Sequence, residues 1–154
     1  MYWEDFAVGS EHSYGSHVVT EAEVLEFGRE FDPQPFHVDI DAAASSPFGG
    51  LIASGWQTAG LCMRMLVDNV LSRSTSMGSP GLESLRWKRP VRPGDTLRVH
   101  GTVLARRASR SRLDMGLVKF SFEVCNQNDV IAMAMVTTIM FGRRPAAAQV
   151  ETDA

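Results

Sequence analysis

Residues 54–71 read SGWQTAGLCMRMLVDNVL, and this stretch decides the fold that we expect of the chain. Apolar residues recur at helical spacing from Trp56 to Leu71, and Leu61, Cys62 and Met65 fill much of the remaining circumference. A helix with this pattern is expected to be buried nearly all round. It therefore needs a broad apolar surface that wraps around it.

Strands that follow this helix can supply that surface. Apolar and polar residues alternate in three segments, which predicts half-buried strands over 84–88, 97–106 and 118–124. The segment from Val130 to Phe141 is apolar on both faces, as expected of a strand in the middle of a sheet. Turns are predicted at 92–95 and 126–129. The chain is therefore predicted to be α+β, with an antiparallel sheet wrapped around one long central helix.

Two shorter helices are predicted before the long one. Thr20-Glu21-Ala22-Glu23 has the pattern of a capping box, so a helix should begin there and run to about Phe31. Asp41 is expected to cap a short helical turn over 42–44, which Pro47 and two glycines then end.

Length and composition indicate one globular domain. The chain has 154 residues, of which 44% are hydrophobic, and we expect a domain over 1–142 followed by a flexible tail over 143–154. The net charge of −3 gives no reason to expect a nucleic acid partner. The acidic start Met1–Phe6 resembles neither a signal peptide nor a membrane span, so we expect a cytoplasmic protein. Cys62 and Cys125 show no ligand spacing and are expected to be reduced core thiols.

The segment between these helices carries the candidate chemistry. Asp32 and His37 lie on a short stretch stiffened by Pro33 and Pro35, which favour a preset turn over a mobile loop. A carboxylate and an imidazole brought together could act as an acid/base pair. The alternative is that Asp32 forms a turn and His37 lies on the surface. Asp39 could orient His37, but a role in the following turn is the simpler interpretation.

Three segments together resemble the MaoC-like dehydratases, the hotdog-fold group that contains R-specific enoyl-CoA hydratases. They are Asp32-Pro-Gln-Pro-Phe-His37-Val-Asp39, Gly50-Leu-Ile-Ala-Ser-Gly55 opening the long helix, and Arg92-Pro-Gly-Asp-Thr-Leu97. The resemblance implies a hotdog fold and hydration of enoyl-CoA thioesters, in which Asp32 and His37 hold a water and exchange acid and base roles. It also implies that the backbone N–H of Gly55, at a helix start, stabilises the developing oxyanion.

Substrate contacts are expected from Gln34, Phe48 and Ser54, with coenzyme A arriving as part of the substrate. Gln34 replaces the family's usual asparagine, and Phe31 adds bulk beside Asp32, so the accepted acyl group is expected to differ from simple straight-chain ones. Phe48 is otherwise an ordinary core residue. The arginines at 106, 107, 110 and 112 could bind phosphates of coenzyme A, although such a cluster is more often simply solvated.

Two other functions remain open from the sequence. One is an acyl-CoA thioesterase on the same fold, and the other is a non-catalytic protein that binds acyl thioesters. No metal site is expected, because the remaining histidines lack ligand spacing. No redox cofactor is expected either. A lone sheet around a helix leaves its edges open, so we expect a homodimer or a larger homo-oligomer.

Overall fold

The structure is a computed structural model that describes residues 1–145, and its centre is one antiparallel sheet of five strands in the order β1-β3-β4-β5-β2. The strands are β1 (Glu11–Val18), β2 (Leu82–Trp87), β3 (Thr96–Ala108), β4 (Met115–Cys125) and β5 (Ile131–Gly142). The helices are α1 (Glu21–Phe31), α2 (Pro35–Val38), α3 (Ile40–Ala44) and α4 (Gly55–Asn69). Short 3₁₀ turns lie at Trp3–Asp5 and Leu71–Arg73. The predicted α+β architecture is confirmed.

The inner face of the sheet forms the core. Alternate residues of β3 and β4 point inward and are buried, as their alternating sequences predict, and β5 buries alternate residues too although its sequence is apolar on both faces. The buried residues include Leu97, Val99, Val118, Phe120, Phe122, Val124, Met133 and Phe141. Val99 lies opposite Val124 across the β3–β4 ladder. The β5 strand lies between β4 and β2, so the interior position predicted from its apolar sequence is confirmed.

The long helix α4 packs on the inner face against β1 and β3. Its approach to β1 is close, because a Cβ at Gly15 would lie 2.6 Å from Cγ of Met65. Gly15 also has φ +68°, which side chains disfavour. Glycine at this position therefore lets the strand bulge beneath the helix.

The prediction that α4 is buried nearly all round is wrong for the single chain. Trp56, Met63 and Val67 are exposed by 62%, 46% and 37% and lie along one side of the helix. The reason is geometric, since a single sheet covers one side of a helix and the α1–α3 segment covers only part of the rest. The β2 strand is likewise more exposed than the half-buried pattern predicts, with Trp87 45% exposed at the edge of the sheet.

The two short helices begin close to the predicted positions. Thr20 caps α1 by accepting from Glu23 N–H, but the Glu23 carboxylate bonds His17 at 2.8 Å and does not complete a capping box. The predicted cap at Asp41 is wrong: Asp39 caps α3, accepting from Ala42 N–H at 3.0 Å. An aspartate one residue before the helix has the extended backbone that a cap needs, whereas Asp41 is already helical.

The ends of the described chain lie together. Arg143 contacts Glu4, and Arg144 pairs with Asp5. The rest of the predicted tail, residues 146–154, lies outside the described residues. Within residues 1–145, each helix is too short or too polar to cross a bilayer.

Candidate active site

The segment after α1 folds back so that Asp32 and His37 meet. Asp32 ends α1, its N–H donating to the Gly28 carbonyl at 2.9 Å, and Pro33 prevents the helix from continuing. Pro35 then occupies the first position of α2, where its missing N–H costs nothing. This single helical turn brings His37 back toward Asp32, and Nε2 of His37 lies 3.2 Å from Oδ2 of Asp32. The predicted meeting of the two residues is therefore present.

His37 is held in one orientation from its other ring nitrogen. The side chain is buried, only 4% of the residue being exposed, and Nδ1 lies 2.7 Å from the carbonyl oxygen of Ile52. A carbonyl oxygen only accepts, so Nδ1 carries a proton in this contact. In the neutral ring, Nε2 then presents a lone pair toward Asp32. The imidazole is thus arranged to receive a proton at Nε2 and to return it.

The Asp32 carboxylate receives a donor on each oxygen. Ser54 Oγ donates to Oδ2 at 2.7 Å, and Gln34 Nε2 donates to Oδ1 at 2.8 Å. Desolvation raises the pKa of Asp32, but the hydrogen bonds from Gln34 and Ser54, together with the charge of His37, outweigh it and hold the pKa below the ordinary value. Asp32 is therefore an ionised carboxylate at neutral pH.

The start of α4 forms the second wall of the site. Ser54 caps this helix through Trp56 N–H at 3.3 Å while it donates to Asp32, so one hydroxyl serves both groups. Within residues 1–145, no atom accepts a hydrogen bond from Gly55 N–H. Such unpaired amides at a helix start attract negative charge.

Glycine at position 55 leaves room for the indole of Trp87. A Cβ there would lie 2.5 Å from Cε2 of Trp87, whose Nε1 donates to the Gly55 carbonyl at 2.8 Å. Trp87 also packs edge to face on Trp56, with ring centroids 5.2 Å apart. Glycine is thus needed here because the Trp87 indole lies directly on the helix start.

These groups open into one cavity of about 500 Å³. All six predicted site residues line it, namely Asp32, Gln34, His37, Phe48, Ser54 and Gly55. Trp56 and Trp87 add aromatic surface, and Lys88 and Arg89 add positive charge. The cavity therefore combines the Asp32–His37 pair, apolar walls and two cationic side chains.

Some predicted contributors lie elsewhere. None of the four clustered arginines lines this cavity: Arg106 stacks on Trp3 and Arg112 pairs with Asp114. Phe31, expected beside the carboxylate, is 66% exposed, packs on Phe27 and faces a separate cleft between α1 and α4. Its direction follows from the helix, since a residue at the end of α1 projects away from the turn that follows. Asp39 caps α3, as the simpler interpretation expected.

Sequence reasoning missed four contributors to the site. The Ile52 carbonyl and the Trp87 indole reach it through contacts between distant residues, which no local sequence pattern indicates. Lys88 and Arg89 could have been noticed in the sequence, because they directly follow the strand that ends at Trp87.

Cys62 is a core thiol as predicted, and burial raises its pKa to about 12.

Comparisons with known proteins identify the family and agree with the fold. The MaoC like domain family model matches residues 8–121. The MaoC-like dehydratase from Rhodospirillum rubrum has a solved structure that superimposes with a TM-score of 0.88 at 41% identity, covering 95% of this chain and 99% of that one. The hotdog fold expected from the resemblance is thereby confirmed.

Two curated relatives widen the comparison. The uncharacterized protein YdeM of Bacillus subtilis is 28% identical over 130 residues, which cover 84% of this chain and 91% of YdeM. The (R)-specific enoyl-CoA hydratase of Rhodospirillum rubrum is 33% identical over 107 residues, which cover 66% of this chain and 69% of the relative. The family match over residues 8–121 and the shared fold show that the chain belongs to the MaoC-like dehydratase family.

Proposed function

We propose that the protein is a hydratase/dehydratase that interconverts an enoyl-CoA and a 3-hydroxyacyl-CoA thioester. The observation that carries this proposal is the 3.2 Å approach of His37 Nε2 to Asp32 Oδ2 inside a cavity that also contains the start of α4. Hydration needs a base, an acid and an oxyanion donor, and in this proposal Asp32, His37 and the N–H of Gly55 supply them. The relationship to an (R)-specific enoyl-CoA hydratase supports the same reaction.

The reaction requires one water molecule between the two side chains. In hydration, a base removes one water proton while the oxygen forms a bond to the β-carbon and the π electrons move toward the thioester carbonyl. A proton delivered to the α-carbon then restores the thioester. Oδ2 of Asp32 and Nε2 of His37 lie 3.2 Å apart, so the unprotonated member of the pair can take the water proton while the protonated member supplies a proton to the α-carbon. Dehydration reverses these steps with the roles exchanged.

The thioester oxygen becomes negative between these two proton transfers. In this proposal Gly55 N–H donates to it, since that amide opens the 15-residue helix α4 and has no acceptor among residues 1–145. One such donor typically contributes about 10²–10³-fold to the rate. The helix dipole acts in the same direction.

A coenzyme A thioester suits the border of the cavity. Lys88 and Arg89 line it, and cationic side chains complement the phosphates of coenzyme A. The aromatic pair Trp56 and Trp87 lies on the same border and offers surface for the apolar part of the ligand. These features replace the arginine cluster at 106–112 as the proposed phosphate contacts.

We also propose that the working form is a homodimer. Trp56, Met63 and Val67 leave one side of α4 apolar and exposed, and β2 leaves an unpaired strand edge beside it. Association of two copies would cover both surfaces close to the cavity. Sedimentation should then give twice the chain mass of 16.9 kDa, and a 16.9 kDa species at micromolar concentration would contradict the proposal.

The decisive experiment offers the protein a panel of enoyl-CoA thioesters of short, long and branched acyl chains. Loss of the conjugated chromophore and release of free thiol are followed in parallel. Chromophore loss without thiol release supports hydration, because hydration leaves the thioester intact. Thiol release identifies a thioesterase instead. Tight binding of the panel with neither signal favours a non-catalytic binding protein.

Two histidine variants make the panel specific to the site. His37→Ala is expected to remove turnover while the protein keeps its fold by circular dichroism. His12→Ala is the matched control, because His12 lies in β1 and does not line the cavity. Equal turnover in the two variants would reject the proposed role of His37.

A further inference from the structure

Gln34 occupies an unusual position between two prolines. Pro33 and Pro35 restrict its backbone, which adopts φ −74° and ψ 143°, and its N–H donates to the Asp32 carbonyl at 2.8 Å. The side chain therefore starts from a fixed point. Its amide is directed at the carboxylate, with Nε2 2.8 Å from Oδ1 of Asp32. The residue that was expected to contact substrate therefore also contacts the acid/base pair.

The donors on the Asp32 carboxylate differ in what they can fix. Ser54 and His37 both contact Oδ2, from the α4 start and from α2. The last torsion of an aspartate is broad, so contacts at one oxygen alone leave the carboxylate plane poorly defined. Gln34 supplies the only side-chain donor to Oδ1 within residues 1–145. A donor on each oxygen sets the plane of the group and turns Oδ2 toward His37.

We infer that Gln34 is a positioning residue, which orients the Asp32 carboxylate and stabilises its ionised form through the Nε2–Oδ1 hydrogen bond. This inference rests on the proposed function for its kinetic consequence only. Its structural part, the effect of Gln34 on Asp32, holds whatever the substrate is. A hydrogen bond that favours the charged carboxylate lowers its proton affinity.

Other charged groups around Asp32 are few in the described chain. His37 is the titratable group in direct contact, from α2, while Ser54 and Gly55 at the start of α4 carry no charge. Lys88 and Arg89, after β2, line the same cavity. Both residues are unchanged in variants of Gln34, so a change caused by Gln34 is separable from their contribution.

Two substitutions at Gln34 test the inference. Gln34→Leu keeps much of the volume without the donor, and Gln34→Glu places a like charge beside Asp32. We expect the acidic limb of the kcat/KM profile to move to higher pH in Gln34→Leu and further in Gln34→Glu, with kcat at neutral pH falling about tenfold in Gln34→Leu. A rise in KM with an unmoved acidic limb would overturn the inference and restore Gln34 as a substrate contact.

The control is a second glutamine that makes the same kind of bond. Gln127 donates through Nε2 to Oδ1 of Asp95 at 3.1 Å, beyond the residues that line the cavity. Gln127→Leu loses an equivalent contact and is expected to leave kcat, KM and the acidic limb unchanged. A shift equal to that of Gln34→Leu would attribute the effect to general destabilisation and overturn the inference.

A direct titration separates this inference from the proposed function. The carboxyl carbon signal of Asp32, assigned with Asp32→Asn, is followed by NMR across acidic pH in the unmodified protein and in Gln34→Leu. The Asp32 pKa is expected to rise in the variant even if no enoyl thioester is ever turned over. An unchanged pKa overturns the positioning role, whereas a raised pKa without turnover in the unmodified protein overturns only the hydratase proposal.

Discussion

The starts of α1 and α4 are capped by the same chemistry, but the two capping residues serve different purposes. At α1, the Thr20 hydroxyl accepts from Glu23 N–H at 3.2 Å, and the Glu23 side chain bonds His17. At α4, the Ser54 hydroxyl accepts from Trp56 N–H and also donates to Asp32. The first cap only stabilises a helix. The second cap joins a helix start to an ionised carboxylate.

The surroundings explain the difference. Glu21, the first residue of α1, is exposed, whereas Gly55, the first residue of α4, faces a cavity and lies beneath Trp87. The free amides of a partly buried helix start that opens into a cavity can stabilise negative charge there, while the amides of an exposed helix start are satisfied by solvent. A hydroxyl cap by itself therefore does not indicate function. The second hydrogen-bond partner of the hydroxyl must also be known.

The largest effect should come from the groups that the α4 start faces. Asp32→Asn and His37→Ala are each expected to lower the rate of hydration by about 10²–10⁴-fold, because each removes one proton-transfer group. Steady-state rates on the best enoyl thioester measure this. The corresponding change beside α1, His17→Ala, should leave the rate unchanged. A loss of similar size in His17→Ala would show that the two regions are not functionally distinct.

The next largest effect is expected from the first residue of each helix. Gly55→Ala brings Cβ within 2.5 Å of Trp87 and should lower the free energy of unfolding by about 1–3 kcal/mol through overpacking. Glu21→Ala removes an exposed side chain and should change it by less than about 0.5 kcal/mol. Urea unfolding compares the two. Equal free energies of unfolding in the two variants would mean that Trp87 leaves room for a side chain at position 55.

The two capping residues should then separate activity from stability. Ser54→Ala removes a donor to an ionised carboxylate and is expected to lower kcat about 10- to 100-fold. Ser54→Gly retains an acceptable capping residue but not the donor, so it should lose similar activity with less loss of stability. Full activity in Ser54→Gly would place the importance of Ser54 in the cap alone.

Thr20→Ala provides the opposite case at α1. Loss of its cap should lower the free energy of unfolding by about 1 kcal/mol with no change in the rate. Thermal unfolding and the hydration assay, run on the same preparation, measure both quantities. Reduced kcat in a fully folded Thr20→Ala protein would remove the contrast between the two helix starts.

The smallest expected effect is on the pH dependence of stability. Desolvation raises the Asp32 pKa, but the bonds from Gln34 and Ser54 and the charge of His37 bring it below its usual 3.8 in the folded state. A depressed folded pKa gives stability that is present above 3.8 and is lost as pH falls through the folded value. The stability advantage over Asp32→Asn should therefore shrink in acid.

Urea unfolding at several values from pH 7 to pH 3 would measure that loss. Thr20→Ala is the reference, because threonine does not titrate and its cost should stay constant over the same range. A difference between the unmodified protein and Asp32→Asn that grows in acid would contradict the sign of the shift.

The sequence predicted what depends on local pattern. Asp32 and His37 are five residues apart, and the two prolines between them limit the backbone enough that their meeting could be anticipated. The strands followed from alternation, and α1 from the Thr20 cap. Each of these properties is written within a few residues of the chain.

What the sequence could not predict depends on contacts between distant residues. Ile52 O and Trp87 Nε1 reach His37 and Gly55 across 15 and 32 residues, and no local pattern indicates either contact. The exposed side of α4 was mispredicted because apolar residues look the same whether a sheet or a second subunit is to cover them. Hydrophobic periodicity identifies an apolar face of a helix but does not identify what packs against that face.

The Trp87 indole on the α4 start also gives the protein an optical reporter. Trp87 and Trp56 line the cavity in mutual contact, whereas the third tryptophan, Trp3, stacks beneath Arg106 outside it. A thioester that enters changes the polarity around the first two indoles and leaves the third as an internal reference. Intrinsic emission can thus follow occupancy of the site in unlabelled protein, in the absence of turnover.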